Sequence, residues 1–323
     1  MKSLIPFSLV GMLLFFVVGC GGAGARGASS DVRPSPRMED PVLRDLAFFD
    51  AEYPPILVEA QFVVDGARMN AIVYEAQGIG PHPTVILLHG FPGNERNLDL
   101  AQAIRRSGWN VVFFHYRGAW GSEGVFSFEH ILEDVVAVVG AVSEKSFASS
   151  HRIDPNRIAL VGHSMGGFAA LISGASLPAV DCIVSIAGAN LGGLASAIKA
   201  NPARVEALAE RLDSWSGPIK GLSGKELVSE VIKNADRFDT IRAAASLAPK
   251  RLLLIAGEND VVTPPSMNHL PLVDALRTEG AGSLAEKIIK TADHSFSGSR
   301  IALAWEVTDW LERTCHARGA QEQ

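Results

Sequence analysis

Apolar residues along this chain fall into two rhythms. Short continuous runs, Thr84-Val85-Ile86-Leu87-Leu88, Val111-Val112-Phe113-Phe114, Ile158-Ala159-Leu160-Val161, Ile183 to Ala187 and Leu252 to Ala256, predict strands buried on both faces. Between them, apolar side chains recur at helical spacing: Leu98, Ala101 and Ile104; Ile131, Val135, Val138 and Val139; Leu303, Val307, Trp310 and Leu311. A last short strand is expected at Ile288 to Lys290. Upstream, Ile56 to Val64 and Met69 to Tyr74 flank Asp65-Gly66-Ala67-Arg68 and predict a hairpin. Strands alternating with amphipathic helices specify a mostly parallel, doubly wound α/β sheet covered on both sides.

The rhythm breaks between Gly188 and Pro249, where no strand pattern occurs but helical patterns do. Ser223-Gly224-Lys225-Glu226 is a capping box leading into Leu227, Val228, Val231 and Ile232. We expect a helical lid insertion over about residues 189–247, placed over the carboxyl edge of the sheet, where such folds bind ligands. The remaining pattern makes residues 41–323 one domain.

The N-terminus has a different character. Lys2 precedes an acid-free apolar run to Val18, too short for a permanent span, so residues 1–19 read as an export signal. Its end, Val17-Val18-Gly19-Cys20, resembles a bacterial lipoprotein signal and implies lipid attachment at Cys20, with the protein held on the periplasmic side of an envelope membrane. Residues 20–40 are rich in Gly, Ser and Pro and read as a flexible tether.

Composition adds limits. A chain of 323 residues, 47% hydrophobic and 20% charged with a formal charge of −6, has no basic excess to neutralise phosphates, so nucleic acid is not an expected partner. Of three cysteines, Cys20 is assigned to the anchor. Cys182, in the apolar run Val180 to Val184, reads as a buried structural thiol, and Cys315 follows the last helix; a disulfide between them remains open. No nucleotide fingerprint or metal-ligand spacing is present, so no metal and no cofactor are expected.

The chemistry concentrates in Gly162-His163-Ser164-Met165-Gly166-Gly167, directly after a buried strand and before the run Phe168-Ala169-Ala170-Leu171. A serine on a strand-to-helix turn is held in strained geometry with its hydroxyl projecting, and the flanking glycines avoid collision. A serine nucleophile needs a base, and the base needs a carboxylate. In the chain order serine, acid, histidine, Asp260 follows the strand ending at Ala256, with Glu258 as the rival acid. His294 lies between the last strand and the last helix. His269 comes too soon to be the base, and His316 lies in a charged tail. For the oxyanion donors we expect the Met165 amide and one from His89-Gly90-Phe91-Pro92-Gly93, with Phe91 preferred and a neighbouring amide as the alternative. His89 and His163 read as structural; Tyr116 and Arg117 either line the site or shape a loop.

Together these segments, with Ile153-Asp154-Pro155 and Arg157-Ile158, resemble the α/β-hydrolase superfamily over about residues 56–314. The likeness is nearest to dienelactone-hydrolase-like enzymes and the catalytic domains of prolyl-oligopeptidase-type peptidases. The resemblance implies Ser164 as nucleophile, Asp260 as acid and His294 as base. Dienelactone hydrolases use a cysteine where this chain has Ser164, and oligopeptidases add a propeller for which there is no room. The expected activity is a carboxylic ester hydrolase working through an acyl-enzyme on small esters. A serine aminopeptidase or amidase acting on short peptides, with Glu258 binding the substrate ammonium, is the alternative. A lipid-anchored binding protein without turnover is the third reading.

Overall fold

The structure, a computed structural model, describes residues 40–201 and 203–315. The export signal, the lipid-attachment cysteine Cys20, the tether before Asp40 and His316 lie outside the described residues.

The chain opens with β1 (Ile56–Val64) and β2 (Ala67–Glu75), then alternates β3 (His82–Leu88), α1 (Leu98–Arg106), β4 (Asn110–Phe114), α2 (Phe128–Ser143), α3 (Lys145–Ser150), β5 (Ile153–His163), α4 (Met165–Ser176) and β6 (Val180–Ile186). Four helices follow: α5 (Leu191–Ala200), α6 (Arg204–Asp213), α7 (Gly224–Lys233) and α8 (Ala244–Leu247). The order then resumes with β7 (Arg251–Gly257), α9 (Pro265–Asn268), α10 (Leu270–Thr278), β8 (Leu284–Ile289) and α11 (Arg300–Trp310).

One eight-stranded sheet runs β1-β2-β4-β3-β5-β6-β7-β8. The pairings β1/β2 and β2/β4 are antiparallel and every later one is parallel. After β3 the chain turns to β4 on one side and later returns to β5 on the other. The carboxyl ends of β3 and β5 therefore flank the switch point, the natural crevice of an open parallel sheet. Both loops carrying the strongest sequence motifs leave from those two ends.

Several strands begin earlier than their apolar runs, β5 at Ile153 and β6 at Val180 among them, and two boundaries have a plain cause. Asp65 (φ 49°) and Gly66 (φ 78°) make a two-residue hairpin turn, so β2 starts at Ala67 rather than Met69. The last strand is Leu284–Ile289 rather than Ile288–Lys290. Its outer position leaves Glu286 and Lys287 partly solvated and salt-bridged to Arg277 and Glu306. A charged edge strand has no continuous apolar run to betray it.

The core lies on both faces of the sheet. One layer joins Ile86, Leu88, Val112, Phe114, Leu160 and Ile183 to α2 and α4; the other joins Val85, Val111, Val161 and Ile255 to α1 and α11. Cys182 is buried, as expected, but is not a free thiol: it is bonded to Cys315, with Cα atoms 6.2 Å apart. That bond ties β6 to the turn after α11 across 133 positions of sequence.

The segment 189–247 carries α5 to α8, and α7 begins with the predicted capping box between Ser223 and Glu226. The segment is rooted in the main core rather than merely resting on it. Leu227, Val231 and Phe238 are buried there, and Phe238 meets Phe168 of α4 edge-on at 5.4 Å. The Glu230 carboxylate accepts the amides of Phe128 (2.8 Å) and Glu129 (3.0 Å), capping the N-terminus of α2 from a different part of the chain.

Candidate active site

Ser164 occupies the turn between β5 and α4 with φ 58° and ψ −117°, a region that L-residues seldom adopt. The turn is held from several sides: the Ser164 amide donates to Ile186 O at 2.9 Å, and its carbonyl accepts from Phe168 and Ala189 at 3.1 Å each. The glycines are there for space. A Cβ on Gly162 would strike the Gly166 carbonyl, one on Gly166 would strike the Leu88 carbonyl, and one on Gly90 would stand 2.9 Å from the Ser164 Cβ.

The three side chains selected from sequence form one hydrogen-bonded chain. Ser164 Oγ is 3.0 Å from His294 Nε2, and His294 Nδ1 is 2.8 Å from Asp260 Oδ2. A carboxylate only accepts, so Nδ1 carries the imidazole proton and Nε2 is left to accept the Ser164 hydroxyl. Burial alone would raise the Asp260 pKa, but hydrogen bonds from His294 and from the Thr263 amide and hydroxyl outweigh it and hold the carboxyl down at about 2. The Val262 and Thr263 amides reach Oδ1 at 2.7 and 2.9 Å, and Thr263 Oγ1 lies 2.7 Å from Oδ2. Thr263 was not singled out from sequence. Its signal is the Asp-x-x-Thr spacing, which lets an aspartate receive the amides two and three residues on.

Glu258, the rival acid, is exposed and accepts the Thr291 amide at 3.1 Å. His269 is buried against Glu286, not against the serine. His163 is packed beneath the site: its Nε2 donates to the His294 carbonyl at 2.8 Å, and burial followed by the neighbouring His294 lowers its pKa to about 4. His89 is fully buried, donates from Nδ1 to Gly90 O at 2.8 Å, and has its pKa lowered by burial to about 4. It braces the turn that carries Phe91. Tyr116 donates to the His89 carbonyl, and Arg117 is buried among Asp134, Glu133 and Asp65, so both shape loops.

A cleft of about 460 Å³ opens beside Ser164, lined by Gly90, Phe91 and Glu95 from the loop after β3 and by His294, Ser295 and Ser297 from the loop after β8. Among the described residues, neither the Phe91 nor the Met165 amide donates a hydrogen bond. Met165 is also the first residue of α4, where the helix dipole favours negative charge. The arrangement can pull a proton from a hydroxyl and receive an oxyanion beside it.

A doubly wound sheet with a serine on the turn after its central strand defines a protein of the α/β-hydrolase class. Residues 85–312 match the sequence model of the alpha/beta hydrolase family, and the chain belongs to it. It is 29% identical to YitV of Bacillus subtilis, provisionally named an esterase, over 80% of this chain and 98% of YitV. It is 27% identical over 182 residues to the uncharacterized protein YfhR of Salmonella typhi, 56% of this chain but only 55% of that one, so it spans about half of that relative. Among solved structures, Est1E from Butyrivibrio proteoclasticus shares the fold with a TM-score of 0.60 and 18% identity, over 79% of this chain and 98% of that one. The Pyrococcus horikoshii acylaminoacyl peptidase does so with a TM-score of 0.59 and 14% identity, over 81% of this chain and 42% of that one.

Proposed function

We propose that this hydrolase is a serine esterase working through an acyl-enzyme. The observation that carries the reading is the continuous chain from Asp260 through His294 to Ser164. His294 Nε2 takes the Ser164 proton as Oγ attacks the ester carbonyl carbon. The oxyanion is received by the Met165 and Phe91 amides, while Asp260 stabilises the imidazolium. His294 then gives its proton to the departing alcohol, and a water deprotonated by the same nitrogen releases the acid.

The 29% likeness to YitV supports an ester over an amide. The peptidase alternative needs a carboxylate for the substrate ammonium, and Glu258 is not among the residues lining the cleft. Glu95 does line it, but its charge is already faced by Arg300, whose guanidinium stands 3.9 Å from Oε1. We expect p-nitrophenyl esters to be hydrolysed at least 100-fold faster, in kcat/KM, than aminoacyl-p-nitroanilides, about 3 kcal/mol of discrimination. Preferential anilide turnover would overturn the ester assignment, and silence on both would restore the non-catalytic binding protein.

We also propose that the protein is exported and lipid-anchored at Cys20, on the strength of the apolar run ending in Val17-Val18-Gly19-Cys20. Metabolic labelling of the full chain with a radioactive fatty acid in a bacterial host is expected to mark the wild type and not Cys20→Ser. Equal labelling of both excludes that attachment point.

A further inference from the structure

Helix α11 is apolar on more than its inward side. Leu303, Val307 and Trp310 enter the core, yet Ile301 is 62% exposed and Trp305, one turn on, is 36% exposed. With Leu43, also 62% exposed, they line a groove of about 640 Å³. The groove's two charged lining groups are already engaged. Arg300 is held by Asp99 and by Asn97 Oδ1, and Glu306 pairs with Lys287. Gly298, which also lines it, is exposed, with nothing within 4 Å of where a Cβ would stand.

Ser297 forms part of this groove and also part of the cleft beside Ser164. Arg300 of the groove stands 3.9 Å from Glu95 of the cleft, and the one residue that lines both depressions, Ser297, belongs to the loop that carries His294 and Ser295. That side has a chemical meaning if Ser164 attacks an ester. The leaving oxygen must lie within reach of His294 Nε2 to be protonated, so the alcohol half of the substrate points along Ser295 and Ser297 towards the groove. An exposed apolar surface rimmed by paired charges is a binding surface for something apolar.

We propose that the groove over Ile301, Trp305 and Leu43 receives the alkyl chain of the leaving alcohol, making esters of medium- and long-chain alcohols the preferred substrates. The inference rests on the serine-esterase reading and adds its substrate class. Burying one methylene is worth about 0.8 kcal/mol, close to fourfold in affinity, and an open groove delivers part of that. For the full chain, kcat/KM should therefore rise about two- to fourfold for each methylene seated in the groove along ethyl, hexyl and decyl acetate. The rates are followed by acid release below the micellar concentration of each ester.

The double variant Ile301→Ser/Trp305→Ser removes the apolar wall, and Ala302→Asp places a charge against it by a different route. Each should flatten the rise with alcohol length and leave ethyl acetate hydrolysis unchanged. A flat wild-type series with ethyl acetate turned over, or a rise that survives both variants, overturns the groove assignment alone. Inertness towards all three acetates, together with p-nitrophenyl acetate, removes the esterase reading itself and the inference with it. If the variants keep the length dependence but lose binding to phosphatidylglycerol vesicles, the face contacts a lipid surface instead, which also overturns the proposal.

Discussion

Ser164→Ala is expected to lower ester turnover by on the order of 10⁴- to 10⁶-fold and to leave the fold in place. The magnitude follows from what the hydroxyl alone supplies. Its oxygen is the only atom of the residue hydrogen-bonded to His294, and removing it leaves the imidazole with no proton to take and the substrate with no protein nucleophile. The fold survives because the turn is held by the backbone, through the Ile186, Phe168 and Ala189 hydrogen bonds, none of which uses the side chain. Residual activity should come from water attacking a carbonyl still polarised by the two amides. His294→Ala should cost about as much, and the double variant should be scarcely slower than either single one, because the two groups act as a unit. Steady-state rates beside a thermal melt decide the matter. If Ser164→Ala keeps more than a few per cent of wild-type activity with an unchanged melt, the nucleophile lies elsewhere.

The parts of the site readable in the sequence are those imposed by local geometry or chain order. Ser164 is announced by glycines that the turn cannot do without. His294 is announced by its position between the last strand and the last helix. Chain order admits Glu258 as well as Asp260, and the physical reason for Asp260 is in the loop: its short side chain accepts the Val262 and Thr263 amides while reaching His294. What stayed hidden depends on distance along the chain. The Cys182–Cys315 pairing spans 133 positions, and the Glu230 cap on α2 reaches across 102, so no local pattern carries either. The helical content of residues 189–247 was legible from spacing and a capping box. That Phe238 plugs into the main core was not, because a single apolar residue outside a periodic run has no direction until the fold gives it one. The second apolar face of α11 is the same case: the inward set Leu303, Val307 and Trp310 accounts for the helix so well that Ile301 and Trp305 attract no notice.

Acidification should unfold this protein well above the pH at which its carboxylates protonate. His89 and His163 are buried, 0% and 3% exposed, and burial holds each neutral with a pKa of about 4. In the unfolded chain both titrate near 6.5. Between those values the unfolded state binds more protons than the native state, so stability is complete above pH 6.5 and is lost as pH falls towards 4. Each histidine contributes a slope of about 1.4 kcal/mol per pH unit, so the pair costs about 5 kcal/mol by pH 4.5, comparable with the whole stability of many domains. His115, lowered to about 3 by burial and by the charge of His89, acts in the same direction. Asp260 is depressed to about 2 and adds its own loss only below about pH 4, so the histidines act first. Urea unfolding at pH 7.5, 6.0 and 5.0 at constant ionic strength is expected to show a midpoint that falls steeply while the denaturant slope stays constant. A midpoint unchanged across that range would mean that both imidazoles can ionise inside the fold. Ionisation keeps the bonds from His89 to Gly90 and from His163 to His294, so its cost falls on the second ring nitrogen, which in His163 is Nδ1, buried without a hydrogen-bond partner beneath His294. Activity at pH 5 would then be lost by a folded protein rather than by an unfolding one.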